Sequence, residues 1–304
     1  MKYFLHISLI MISLSLITKT ETRGQEKMNS EQLKKLVLTE ISTIKGDVAV
    51  AFLNLNDTSD SLLINENENF HAASTMKTPV MIEVYKQDAS GKFKLSDSIT
   101  VHNEFTSIVD GSIFKLDISR DSGDEMYANI GKQLTIKELV YDMITVSGNL
   151  STNILMEIVK AENVTKSMRE LGAQKINVLR GVEDIKAYEK GLSNTTTAKD
   201  LMIIFENIAN YKIVSEDVCR QMIDILLAQK FNNIIPANLP KDVVVAHKTG
   251  SIDGIQHDSG IVYLPGGKKY VLVLLSKNLE SNVKAIPVLA NISKLFYDYI
   301  IEKN

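Results

Sequence analysis

Residues 243–275 read VVVAHKTGSIDGIQHDSGIVYLPGGKKYVLVLL. Within them 243–246, 260–264 and 270–275 are apolar runs rich in Val, Leu and Ile, separated by Gly and Asp clusters such as Gly266-Gly267. Short β-branched runs bounded by turn residues predict three strands. An amphipathic helix over 286–301 follows. The other end of the chain carries a matching signal. Residues 47–55 (DVAVAFLNL) and 61–64 predict two strands joined by the turn-rich Asn56-Asp57-Thr58-Ser59-Asp60. A helix over 31–42 precedes them, with Leu33, Leu36, Val37 and Ile41 near helical spacing and Gly46 ending it. Between the two β regions the pattern is helical, over 74–87, 136–145, 151–159, 164–171, 197–208 and 218–229. Thr135-x-x-Glu138 opens one of these as a capping box, Thr197-x-x-Asp200 opens another, and Gly172 stops a third. Residues 96–133 are mixed and rich in Asp, Ser and Gly. Helix, two strands, helical insert, three strands, helix is an α+β layout. Both chain ends would form one antiparallel sheet with flanking helices (sheet lobe about 26–70 and 241–304), beside an all-α lobe (about 71–240). A site between two such lobes is a common arrangement.

The chain has 304 residues, 44% hydrophobic and 23% charged, which predicts a globular protein with a sizeable core. A net charge of −3 without a basic run argues against nucleic acid as a partner. At the N-terminus Lys2 precedes an apolar run over 3–17 and a polar stretch over 18–25. That pattern reads as a Sec-type signal peptide covering 1–25, with export to the periplasm or medium and no membrane attachment after cleavage. No A-x-A pattern marks the cleavage point, so an uncleaved anchor is the alternative. No cysteine follows the apolar run to carry a lipid. The lone Cys219 cannot form an internal disulfide and reads as a small buried residue, leaving a monomer stabilised by its core.

Chemistry enters through three short motifs in order: Ser74-Thr75-Met76-Lys77, Ser147-Gly148-Asn149 and Lys248-Thr249-Gly250. S-x-x-K also occurs at Ser42/Lys45, Ser112/Lys115 and Ser281/Lys284. Only the Ser74 copy follows two strand-like runs, heads an apolar helix and precedes the other two motifs. Residues three apart on a helix share a face, so Lys77 would lie beside Ser74; packed among apolar groups, it could lose its proton and activate the hydroxyl. Ser147 could relay a proton to a leaving nitrogen, and Asn149 could hold a substrate amide. Lys248 would attract a carboxylate, Thr249 would hydrogen-bond it, and Gly250 would let substrate lie against the strand edge. The amides of Ser74 and Ser251 are natural oxyanion donors.

The trio resembles the S-x-x-K, S-D-N and K-T-G signature of class A β-lactamases and related penicillin-recognising serine hydrolases, with Gly148 in place of Asp. Two further stretches carry the resemblance: 233–240 leading into His247-Lys248-Thr249-Gly250, and 149–155 after the second motif. The resemblance implies the two-lobed fold, a β-lactam or peptidoglycan-peptide substrate, and an acyl-enzyme on Ser74. It also implies a loop glutamate that activates the deacylating water. Glu183, in Arg180-Gly-Val-Glu183-Asp184-Ile-Lys186, is the best match for it. It sits one place late, and Ala187 stands where the family has a helping asparagine. Asn194 closes the loop before Thr195-Thr196, so the usual Arg to Asp salt bridge is missing unless Asp184 replaces it. His71, His102, His247 and His257 show no metal spacing, so neither metal nor cofactor is expected. His257-Asp258 reads as a strand-end surface pair, and Met76, Met81 and Met143 as core. Three functions fit: a secreted serine β-lactamase, a peptidoglycan D,D-carboxypeptidase-like amidohydrolase, or a sensor that acylates without turnover.

Overall fold

A computed structural model describes residues 27–303. Five antiparallel strands form the main sheet, in the order Ser61–Ile64, Asp47–Asn54, Lys269–Lys277, Ile255–Tyr263, Val244–Ile252. The first strand pair thus joins the last three through Asp47↔Lys277 to Asn54↔Tyr270. Alternation along each strand sorts the side chains by face. Val48, Val50, Phe52, Tyr270, Leu272 and Leu274 meet the terminal helices Ser30–Ile41 and Asn282–Glu302, where Phe52 stacks on Phe296 at 4.8 Å between ring centroids. Ala49, Ala51, Val271, Val273 and Leu275 face the other way, into the core shared with the helical lobe. Small residues on that face let the helix Ala198–Ala209 lie across the sheet.

The helical lobe is built round Lys77–Ala89, whose residues 77–85 are all buried. The helices Ile136–Thr145, Asn149–Val159 and Ala161–Glu170 pack about it. Thr135 and Thr197 cap their helices as the sequence predicts, Thr135 with the reciprocal Glu138 bond. One predicted helix, 74–87, divides into a 3₁₀ turn, Ala73–Met76, and the α-helix proper. Ala73 has φ +45°, so the chain enters this turn through the left-handed region instead of running smoothly into the helix.

The C-terminal strands extend well past their apolar runs. Val244–Ile252 carries all of Lys248-Thr249-Gly250, and Ile255–Tyr263 carries His257 and Asp258. His257 and Asp258 are therefore interior, both 0% exposed, and the expectation of a surface pair is corrected. Asp258 accepts from the Ile235 amide at 3.0 Å and bonds the His247 ring at 2.8 Å, tying the segment before the strand to the sheet. His257 Nε2 lies 2.9 Å from the His71 carbonyl, beside the turn that carries Ser74. Its burial pushes the imidazole down to about 4, so it stays neutral. Cys219 and the three methionines are buried. Among the described residues no helix is long and apolar enough to cross a membrane. The predicted signal peptide lies outside the described residues.

Candidate active site

Ser74 sits half-buried at the seam between the sheet and the helical lobe. The edge strand Val244–Ile252 packs against its turn so closely that a Cβ on Gly250 would lie 3.2 Å from both the Ser74 and Thr75 amide nitrogens. This close approach is what glycine permits at the third motif. The other three S-x-x-K copies lie on the surface: Lys45 pairs with Glu280, Lys115 pairs with Glu104, and Ser281 caps the last helix.

Lys77 is 0% exposed and points at the second motif. Its Nζ donates to Ser147 O at 2.7 Å, Ser147 Oγ at 3.2 Å and Asn149 Oδ1 at 2.9 Å. Lys248, also 0% exposed, reaches the same hydroxyl from the sheet, 3.0 Å from Ser147 Oγ, and donates to Thr249 O at 3.0 Å. One serine hydroxyl therefore links two lysines from opposite lobes. Burial lowers Lys77 to about 8, against the pull of the Asp121, Asp142 and Glu183 carboxylates. Lys248 is lowered too, first by burial and then by the positive charge of Lys77. Ser147 is placed by a backbone φ of +60°.

Across the cleft Glu183 Oε1 accepts from Asn149 Nδ2 at 2.8 Å. The backbone turns through φ +60° at Glu183, and the residue lines the cleft. Burial raises its pKa above the usual carboxylate value, opposed by the Asn149 bond and by Arg120. Ala187 is buried and gives it no polar help. Ser74, Asn149, Glu183 and Ser251 line one cleft of about 380 Å³, within the size range of small-molecule sites. Arg120, Arg180 and Tyr188 share its walls.

The loop bearing Glu183 is closed without the Arg to Asp salt bridge, as the sequence predicts, and Asp184 does not replace it. Asp184 accepts from Ser107 Oγ, Ile108 N and Ala187 N at 2.9, 3.0 and 3.1 Å, while Arg180 donates to the carbonyls of Leu192 and Gly181. Asn194 closes the neck where the resembled family has the ion pair. Its Oδ1 accepts from Leu179 N at 2.8 Å and Arg180 N at 3.2 Å, and its Nδ2 donates to Arg180 O at 2.9 Å. The Asn194 carbonyl then accepts from Ala72 N at 2.8 Å, locking the loop's neck to the turn that carries Ser74. Asn153 grips the loop's middle through Val182 N and O.

Sequence reasoning passed over Asp121. Its carboxylate takes the amides of Asn149 and Leu150 at the start of Asn149–Val159, and the Tyr127 hydroxyl at 3.1 Å. The only signal was the Asp-Ser-Gly-Asp cluster at 121–124, which is also ordinary turn composition. Among the described residues no group of three or more His, Cys, Asp or Glu is arranged to hold a metal ion.

A serine and lysine one turn apart, wedged between an antiparallel sheet and a helical lobe, define a serine hydrolase of the penicillin-recognising class. Residues 29–300 match the model of the β-lactamase enzyme family, and the chain belongs to that family. It is 23% identical over 268 residues to β-lactamase VEB-1 of Pseudomonas aeruginosa, covering 84% of this chain and 86% of that protein. It is 22% identical over 168 residues to the D-alanyl-D-alanine carboxypeptidase DacF of Bacillus subtilis, covering 53% and 40%. The crystal structure of TLA-1 extended-spectrum β-lactamase superposes with a TM-score of 0.78 at 22% identity, over 90% of this chain and 100% of that one. The protein is thus a β-lactamase-type serine hydrolase.

Proposed function

We propose that this protein is an exported enzyme that opens β-lactam rings through an acyl-enzyme on Ser74. The observation that carries the reading is the Ser147 hydroxyl held between Lys77 and Lys248, with Lys77 also bonded to Asn149, which lines one cleft with Ser74 and Glu183. Neutral Lys77 takes the Ser74 proton as Oγ attacks the lactam carbonyl carbon. The amides of Ser74 and Ser251 receive the developing oxyanion. As the C–N bond breaks, Ser147 passes a proton to the nitrogen, replenished from the lysine side. Lys248 and Thr249 hold the substrate carboxylate, and Asn149 the acyl amide. Glu183 then takes a proton from water, whose oxygen attacks the ester and frees Ser74.

A second reading, peptidoglycan-peptide carboxypeptidase, draws on the apolar Ala187 beside Glu183 and on the similarity to DacF. It shares acylation and differs in the preferred acyl donor. Turnover of a chromogenic cephalosporin, followed with intact-mass measurement, separates the readings. Catalytic turnover with a single adduct on the Ser74 peptide, absent in Ser74→Ala, supports the first. A stable stoichiometric adduct without turnover, with release of D-alanine from a D-Ala-D-Ala peptide, supports the second. An adduct persisting in Ser74→Ala overturns both.

A further inference from the structure

The second motif lacks its acidic middle residue, and the space that residue would fill is taken. Gly148 has φ −58° and ψ 123°, a conformation open to any amino acid, so the backbone does not demand glycine there. Space does: a Cβ on Gly148 would overlap Asp142 Oδ2. Gly123 is kept small by the same packing, since its Cβ would lie 2.6 Å from Gly148 Cα and 3.2 Å from Asp142 Oδ2. Asp142 comes from the last turn of Ile136–Thr145. Its Oδ2 accepts from Ser151 Oγ at 2.6 Å, and its carbonyl accepts from the Val146 and Gly148 amides at 3.3 Å. It therefore holds both sides of the turn that presents Ser147 and Asn149 to Lys77.

We infer that Asp142 is a positioning residue that replaces, from the preceding helix, the missing acidic member of the second motif. It fixes the Ser147 to Asn149 turn and supplies negative charge near Lys77. This rests on the proposed role of Lys77 as the base. The carboxylates facing Lys77 are Asp121, Asp142 and Glu183, with Lys248 the neighbouring cation. Asp142 itself faces Asp121, Glu125 and Lys77 and accepts from Ser151. Burial raises it to about 6, so above that pH it is ionised and favours the protonated form of Lys77. Removing its charge lets Lys77 lose its proton at lower pH.

The test measures acylation by a fluorescent penicillin from pH 5 to 9, and thermal melting, on the purified protein and four variants: Asp142→Asn, Asp142→Ala, Gly148→Asp and the double exchange Asp142→Ala with Gly148→Asp. Asp142→Asn preserves the shape, and its rising acylation limb should move to lower pH by about half a unit. Asp142→Ala should acylate about tenfold more slowly, Gly148→Asp should do no better, and the double exchange should return to within about threefold of wild type. A limb that stays put in Asp142→Asn, or a double exchange no better than the worse single variant, overturns the inference. If the wild type takes no penicillin, the functional reading fails, and melting decides the placement alone. A double exchange that melts above both single variants upholds it, and one that melts below them overturns it.

Discussion

Ser147 Oγ lies 3.2 Å from Lys77 Nζ and 3.0 Å from Lys248 Nζ, and both lysines are fully buried. Burial in this dry seam lowers the proton affinity of both, and the charge of Lys77 lowers that of Lys248 further. A lysine at about 8 is already partly neutral near physiological pH, as the proposed attack by Ser74 requires. Glu183 is shifted the opposite way, raised by burial, and in its proposed role it must be ionised to accept a proton from water. Deacylation should therefore fail as pH falls through the raised Glu183 value, at higher pH than an ordinary carboxylate would give. Glu183→Gln should acylate at a near-normal rate and release product about 100- to 10,000-fold more slowly. Stopped-flow hydrolysis would then show one enzyme equivalent of burst followed by little turnover. An unchanged steady-state rate would assign water activation to another residue.

At the scale of elements, the loop from Arg180 to Asn194 is held by an amide in place of the salt bridge that the sequence marks as missing. Asn194→Ala leaves the Leu179 and Arg180 amides and the Arg180 carbonyl without their partners in a buried neck, at about 1–3 kcal/mol for each group left unsatisfied. Because the same neck is bonded to Ala72, the expected outcome is a lower melting temperature together with slowed deacylation, while Asn194→Asp retains the acceptor and loses less. Equal deacylation in wild type and Asn194→Ala would detach the neck from the chemistry. This clasp was not legible in the sequence, where Asn194 marks only the absence of an aspartate. Its partners lie 14 and 15 residues away and are backbone groups, which leave no side-chain pattern. Periodic helices and side-chain caps were legible, Thr135 and Thr197 to the residue, because their determinants are local. The two N-terminal strands were found at nearly their full length, and the three C-terminal ones were found but cut short. His247-Lys248-Thr249-Gly250 and His257-Asp258-Ser259 are polar because their side chains bond the turns and strands packed beside them, so hydrophobicity stops before the strands do. Ser74, Lys77, Ser147, Asn149, Lys248, Thr249 and Gly250 stood out as motif residues, whereas Asp121 and Asp142 make their bonds across elements and did not.

For the whole molecule, seating the site between two lobes buries titratable groups whose folded and unfolded proton affinities differ, and stability must follow pH accordingly. Lys77 falls from 10.5 to about 8 on folding, and Lys248 is lowered as well. Between those values the unfolded chain binds more protons than the folded one, so stability rises with pH from about 8 toward 10.5. His257, lowered from 6.5 to about 4, gives a rise of the same sign in the acid range. Asp142, raised from 3.8 to about 6, opposes it there. Above pH 10 the buried tyrosines Tyr85 and Tyr270 reverse the trend, because their raised values keep the folded state protonated while the unfolded chain ionises. The melting temperature should thus climb between pH 8 and 10 and turn down beyond. Lys77→Met keeps the length and burial without the charge and should remove about 3 kcal/mol of that climb. Calorimetry across this range in both proteins checks the expectation. A slope unchanged by Lys77→Met would mean that Asp121, Asp142 and Glu183 hold the lysine protonated after burial, and that Ser74 needs a different base.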